Sequence, residues 1–267
     1  MAGATTHEAA EVQQRSTGTY IYGLVPADVE VSEDVLGVGD PPGEVRLVRH
    51  GEIAALVSEV PLDGRLGTPD DLVAHERLLD ATAAEVPVLP LRFGAVMTTP
   101  DGVVEELLAP HHDDFLAALN ELEGRVEYVV KARYVERAVL SEILAENPEI
   151  ARLREEIRTQ PEELTRQERI DLGQLVEQAI AAKRQADTEA LTEDLAALGV
   201  LTVERPPSHE HDAAQVAVLI ETDREDELEE VVDEFAARSE GRITMRLLGP
   251  HAPYDFVATP GEEGTER

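Results

Sequence analysis

Strand-like and helix-like spacings of apolar residues succeed one another along the chain and set out an order of elements before any chemistry is considered. Tyr20-Ile21-Tyr22-Gly23-Leu24-Val25, opening at Thr19, reads as a strand, and Val29 to Gly43 as a Pro/Gly/Asp-rich loop. Two apolar runs follow, Val45 to Val48 and Ile53 to Val60, with a hairpin signal between them at His50-Gly51-Glu52. Asp70 to Glu85 changes to helical period, with Leu72, His75, Leu78, Leu79 and Ala83 on one face. Val86 to Met97 is apolar and β-branched and predicts one further strand, at a sheet edge or with a bend because Pro87 and Pro90 cannot donate to a ladder. Thr99-Pro100 starts a helix that Gly124 ends, with Val103, Val104, Leu107, Leu108, Phe115, Leu116, Leu119 and Leu122 inward and Pro110 kinking or splitting it.

The second half repeats the alternation. Residues 125–135 form the cleanest strand pattern, Val126, Tyr128, Val130, Ala132 and Tyr134 on one face and Glu127, Lys131 and Arg133 largely on the other. Glu136 to Leu198 is helical, broken at Asn147-Pro148 and again around Thr159 to Pro161, with Thr165 and Glu168 as a capping box. The stripe Ile170, Leu175, Val176, Ala179, Ile180, Ala186, Leu191, Leu195, Leu198 is long and narrow, which predicts a protruding helical hairpin, 137–158 packed against 165–198, closed by Gly199. After a loop at 205–212 come a strand over Gln215 to Thr222, an acidic amphipathic helix over Asp223 to Ser239 and a strand over Arg242 to Leu248. Residues 1–18 and those after Thr259 lack periodicity and are expected to be disordered tails. The pattern fits an α+β layer fold of the ferredoxin-like kind, helices covering one sheet face, in one or both halves.

Charge narrows the partners. The 267 residues carry 23 Lys+Arg against 56 Asp+Glu, a net charge of −33. Such a body repels phosphate, which disfavours nucleic acid and anionic membranes and favours protein partners. No apolar run approaches the roughly 20 residues of a membrane span and the first residues show no secretory core, so a cytoplasmic location is expected. Without cysteine there are no disulfides, thiolate metal sites or cysteine nucleophiles. Lys131 and Lys183 are the only lysines; adaptation to high salt and a GC-rich genome both account for that, and the residues leave both open.

Catalytic signatures are absent: there is no phosphate-binding loop and no Gly-x-Ser-x-Gly, and His75-Glu76 lacks a second histidine four residues on, where Leu79 stands. His111-His112-Asp113-Asp114 and His209-Glu210-His211-Asp212 could each offer metal ligands, but loop clusters in so acidic a chain are better read as solvated surface. Two segments stand out. Leu89 to Val96 places Arg92 and Phe93 inside an apolar run beside Gly94, and Leu248 to Phe256 is an extended segment that two prolines stiffen and that presents Tyr254 and Phe256. The second segment either presents its aromatics for recognition or folds back to plug an open edge of the second core.

Taken in order, these segments resemble the gas vesicle protein F/L family (GvpF/GvpL). The resemblance rests on TYIYGLV at 19–25, with Tyr20 and Tyr22; on His75-Glu76 followed by Leu78-Leu79; and on PVLPLRFGAV at 87–96, with Arg92, Phe93 and Gly94. EYVVKARY at 127–134 adds Lys131, Arg133 and Tyr134, and the closing GPHAPYDFV at 249–257 adds Gly249, Pro250, Pro253, Tyr254 and Phe256. His251-Ala252 stands where the family usually has Trp-Pro, and Asp255 where Ser is common. The resemblance implies an N-terminal ferredoxin-like domain, here 19–124, and a C-terminal α+β domain, here 125–258, carrying the hairpin 137–198. It also implies a non-enzymatic role without cofactors, in the cytoplasm and at the gas vesicle. There the protein would be an accessory or minor structural component binding the very hydrophobic major shell protein, alongside other gas vesicle assembly proteins. A subunit that polymerises through apolar edges aggregates before incorporation, and a very acidic binder covering such an edge keeps it soluble. On this reading the N-terminal sheet, near Arg92 and Phe93, makes the contact, and Tyr254 and Phe256 brace the two halves. A metal-dependent hydrolase, or a scaffold linking several assembly proteins through the hairpin, are the alternatives.

Overall fold

The computed structural model describes residues 17–32, 35–62, 66–161 and 164–257; apart from Thr17 and Gly18, the expected tails lie outside them. Helices and sheets are divided between two compact units, one built from the chain up to Leu79 with Pro90–Leu119, the other from Asp80–Leu89 with Asn120 onward.

In the first unit β1 (Thr17–Pro26), which includes Thr17 and Gly18, pairs antiparallel along β3 (Ile53–Pro61), and β3 with β2 (Arg46–His50). His50 faces Ile53, leaving a two-residue turn whose Gly51 takes φ 57°, a conformation open to glycine and costly for other residues. The far edge of β1 is covered by two dipeptide strands, β4 (Leu89–Pro90) and β5 (Val96–Met97), giving the order β2-β3-β1-β4 with β5 also on β1. The single strand expected over 86–97 is thus corrected to two stubs. Pro90 has no N–H to give, and the chain between the stubs turns away through Gly94 at φ 98°.

The helix α1 (Pro69–Ala83) buries Asp71, His75, Leu79 and Ala83, four residues apart, while Leu72, expected inside, lies off that stripe and is 42% exposed. Thr99 caps α2 (Pro100–Gly102) by accepting from the Gly102 N–H at 3.1 Å. Val103–Leu108 then winds as a π-helix, closed by Ala109 N–H to the Val104 carbonyl at 2.8 Å, and Pro110 splits it from α3 (His112–Glu121), as the sequence predicts.

In the second unit β6 (Arg125–Tyr134) is central, flanked by β8 (Asp212–Glu221) and β9 (Ile243–His251), all antiparallel, with β7 (Leu201–Glu204) beyond β8 in the order β7-β8-β6-β9. β7 has no counterpart in the sequence reading, because four residues with two polar side chains carry too little alternation to show. Four helices accompany this sheet: α4 (Glu136–Glu146), α5 (Pro148–Arg158), α6 (Arg166–Ala196) and α7 (Glu225–Arg238). Val139 and Ile143 of α4, Ile150 of α5, and Leu191 and Leu195 of α6 join the inward residues of β6 and β8 in one core. Fully burying a leucine in such a core stabilises by about 1.5–3 kcal/mol. The capping box at Thr165 does not form: that residue is fully buried, and its hydroxyl donates instead to the Pro161 carbonyl at 3.4 Å. Glu127, expected on the polar face of β6, is 1% exposed.

Candidate partner-binding site

Tyr20 and Tyr22 project from β1 into the first core, where both are fully buried and therefore need hydrogen-bond partners. Tyr22 exchanges a hydrogen bond with Ser58 Oγ at 2.8 Å and accepts from Val38 N–H at 2.8 Å. Tyr20 Oη lies 2.9 Å from His75 Nδ1 and accepts from the Gly94 N–H at 3.1 Å. On the other side of the ring, His75 Nε2 lies 3.1 Å from the Leu91 carbonyl. A carbonyl can only accept, so Nε2 carries the imidazole proton, and Nδ1 takes the Tyr20 O–H. Burial lowers the His75 pKa, against the opposing pull of Leu91, and keeps the ring neutral; burial likewise raises both tyrosines.

This relay holds the 89–97 segment at two points. Leu91 and Gly94 are tied by side chains, and backbone bonds from Leu91 N–H to the Tyr22 carbonyl and from Ile21 N–H to the Ala95 carbonyl, each 2.9 Å, complete the attachment. Phe93 packs on the rings of Tyr20 and His75, centroids 5.7 and 5.6 Å away, and stays half-buried, while Arg92 and Gly94 are exposed. The result is a tied-down sheet edge with Arg92 and Gly94 exposed and Phe93 partly so. Asp71, one turn before His75 on α1, ties Gly39 and the 67–68 backbone to that helix: burial alone would raise its carboxyl, but the N–H groups of Gly39, Thr68 and Gly67 and the Thr68 hydroxyl hold it below its ordinary range.

The other candidates belong to the second unit, and the structure does not gather them into one place. Lys131 donates to Ser208 Oγ at 2.9 Å and lies 3.9 Å from Asp212, Arg133 lies 3.5 Å from the same buried carboxylate, and Asp212 accepts the N–H groups of Ser208 and His209. Tyr134 donates to Asp187 at 2.6 Å, with Arg242 stacked 5.7 Å from its ring. These three therefore brace the 205–212 loop and α6. Gly249 sits at φ 143° where a Cβ would fall 2.7 Å from the Tyr128 ring, so only glycine fits.

Beyond Pro250 the chain does not stay extended. β9 ends at His251, Ala252 and Pro253 are buried, and Tyr254 and Phe256 are half-buried in turns closed by the bonds Tyr254 N–H to Ala252 O and Phe256 N–H to Pro253 O. What clamps this closing segment are acids and a cation that spacing could not single out. Arg205 spans Glu127 at 3.0 Å and Asp255 at 2.6 Å, Glu127 accepts the Asp255 N–H at 3.0 Å, and Asp80 accepts the Ala252 N–H at 2.9 Å and pairs with His251 at 3.1 Å. Burial, reinforced by Asp255, pushes Glu127 up to about 7, and the Asp80 bond raises His251.

Of the two histidine clusters, His112 is engaged by Asp113 at 3.0 Å and Glu52 at 3.1 Å. His209, Glu210 and His211 could each offer one ligand atom within 4.8 Å of the others, on an exposed loop. Among the described residues no helix is long and apolar enough to cross a membrane.

Residues 18–258 match the family described as gas vesicle synthesis protein GvpL/GvpF. Gas vesicle protein F of Streptomyces sp. (strain CB03234) is 34% identical, the alignment covering 90% of this chain and 99% of that protein. Gas vesicle protein L of the same organism is 29% identical, over 91% and 94%. The crystal structure of GvpF from Anabaena sp. PCC7120 superposes with a TM-score of 0.74 at 26% identity, over 91% of this chain and 99% of that one.

Proposed function

Because the chain belongs to the GvpL/GvpF family of gas vesicle synthesis proteins, we propose that it is a non-enzymatic assembly protein that binds the hydrophobic major shell protein during vesicle formation, using the sheet edge of its first unit. The observation that carries this reading is the 89–97 edge, where Tyr20 and His75 fix the backbone while Arg92 is exposed and Phe93 is only half-buried. A rigid aromatic beside a guanidinium loses little entropy when it meets an apolar partner. The chain's charge of −33 then keeps the joint particle soluble until the growing shell takes the subunit.

Both units fit ferredoxin-like α+β folds. Each sheet has its strands in the order second, third, first, fourth, and the second unit has the full β-α-β-β-α-β sequence with three helices in its first crossover. In the first unit the described residues between β1 and β2, 27–32 and 35–45, form no helix where that crossover would be helical. The protein acts in the cytoplasm, beside the forming vesicle, with other gas vesicle assembly proteins as further partners.

The test is co-purification of the major shell protein with the full-length chain. Phe93→Ala and Arg92→Glu are expected to cut recovery at least fivefold, while Glu149→Ala on α5 leaves it unchanged. Full recovery with both edge variants would refute the placement, and failure of the unaltered chain to retain the shell protein would refute the binding itself.

A further inference from the structure

We propose that the helical layer of the second unit carries a separate docking groove for a partner's amphipathic helix, one with carboxylates flanking its apolar stripe. α4, α5 and α6 leave a cleft of about 500 Å³ whose floor is Leu140, Ile143 and Leu144 from α4, Ile150 from α5, and Leu172 and Val176 from α6. Ile143 and Ile150 are buried, whereas Leu140, Leu144, Leu172 and Val176 are only partly covered, so three helices present apolar faces with room for a fourth.

The charge around this cleft identifies the occupant. In a chain with 33 more acids than bases, the rim carries Arg137 and Arg154 against the single carboxylate of Glu136. Among the described residues neither arginine has an ion-pair partner, although nearby Arg158, Lys183 and Arg242 are all engaged by acids. The amino end of α4 opens at the same rim, and no side chain caps it at Val135, which adds the partial positive charge of a helix start. A surface that is elsewhere acidic would select basic partners; this groove selects an acidic one. An α-helix laid along the 11 residues of α4 would bury its apolar stripe on the floor and bring carboxylates to two guanidiniums.

The groove is tested in the intact protein, in the vesicle-forming cells that make it. A photo-crosslinking amino acid replaces Ser141, an exposed wall residue, and the crosslinked peptide is identified by mass spectrometry. The expected result is one dominant adduct on a different protein, through a segment with apolar residues at helical spacing flanked by Asp or Glu, falling at least fivefold when Arg137→Glu and Arg154→Glu are combined. Circular dichroism melts of the two forms should superpose. The proposal is overturned by no adduct above that formed from a crosslinker at Glu149, by an adduct on a second copy of this chain, by a captured segment without flanking acids, or by a yield indifferent to charge reversal. Phe93→Ala, which tests the shell-protein edge, should leave this adduct intact, so the two readings fail separately.

Discussion

Tyr20 and His75 stand 55 positions apart in sequence and share one hydrogen-bond relay, and single-residue changes there should be measurable. Tyr20→Phe removes the hydroxyl that pairs with His75 Nδ1 inside the core and accepts the Gly94 N–H, leaving part of a buried hydrogen-bond set unmade. Such unsatisfied groups cost about 1–3 kcal/mol, a loss urea denaturation should register in full-length protein. Gly94→Ala forces a Cβ into φ 98° in open space, so its cost, roughly 1 kcal/mol, is conformational and not steric. Residue types at this site were visible in the sequence: two tyrosines on a strand, a histidine on an apolar helix face, Arg-Phe-Gly in an apolar run. Their mutual pairing was not, because nothing local says which buried hydroxyl meets which ring. One buried pairing in the same unit did leave a local mark. Thr68 and Asp71 form a Thr-x-x-Asp cap at the start of α1, a three-residue spacing the sequence displays plainly. Glu127, Arg205 and Asp255 left none, since each is one of many charges until the fold brings them together.

Among the elements, the long ones were legible: β6, β8, α1, α7 and the breaks at Pro110 and Asn147-Pro148 all appear within a few residues of where the sequence pattern puts them. The failures have physical causes. The 86–97 segment has strand-like composition but is held by side chains from β1 and α1, which override its propensity. β7 is too short to carry a pattern. Along α6 the apolar stripe is uniform in sequence yet divides in the structure, with Leu191 and Leu195 at 0% exposure and Ile170 at 46%. Leu191→Ala should therefore destabilise by about 2–5 kcal/mol, while Ile170→Ala should stay within about 0.5 kcal/mol, a contrast that thermal melts of the two variants resolve.

At the level of the whole molecule, two buried groups, His75 in the first unit and Glu127 in the second, should respond to pH in opposite senses, while His112 on α3, raised by its bond to Asp113, partly offsets His75. His75 is depressed below its ordinary 6.5, so its share of stability is present above that value and declines as pH falls toward its folded pKa. Glu127 is raised from 4.5 to about 7, so its share is present below the lower value and is lost as pH rises through the upper one; His251, raised by Asp80, acts in the same direction. Hydrogen exchange, corrected for intrinsic rates, should show β1 and α1 losing protection between pH 7.5 and 5.5 and β6 with the closing segment gaining it; parallel change in both would contradict these assignments. Charge adds a common background. At −33, screening by salt should raise the unfolding midpoint until repulsion is quenched, and a flat response from low to molar salt would show that repulsion carries little weight. Connectivity has its own consequence. The chain passes between the units at 79/80, 89/90 and 119/120, so no single scission parts them. As it leaves the ribosome, Asp80 emerges some 170 residues before His251 and Ala252, the groups its carboxylate will hold, and a nascent polypeptide halted anywhere before the final strand keeps that acid waiting for a clasp not yet synthesised.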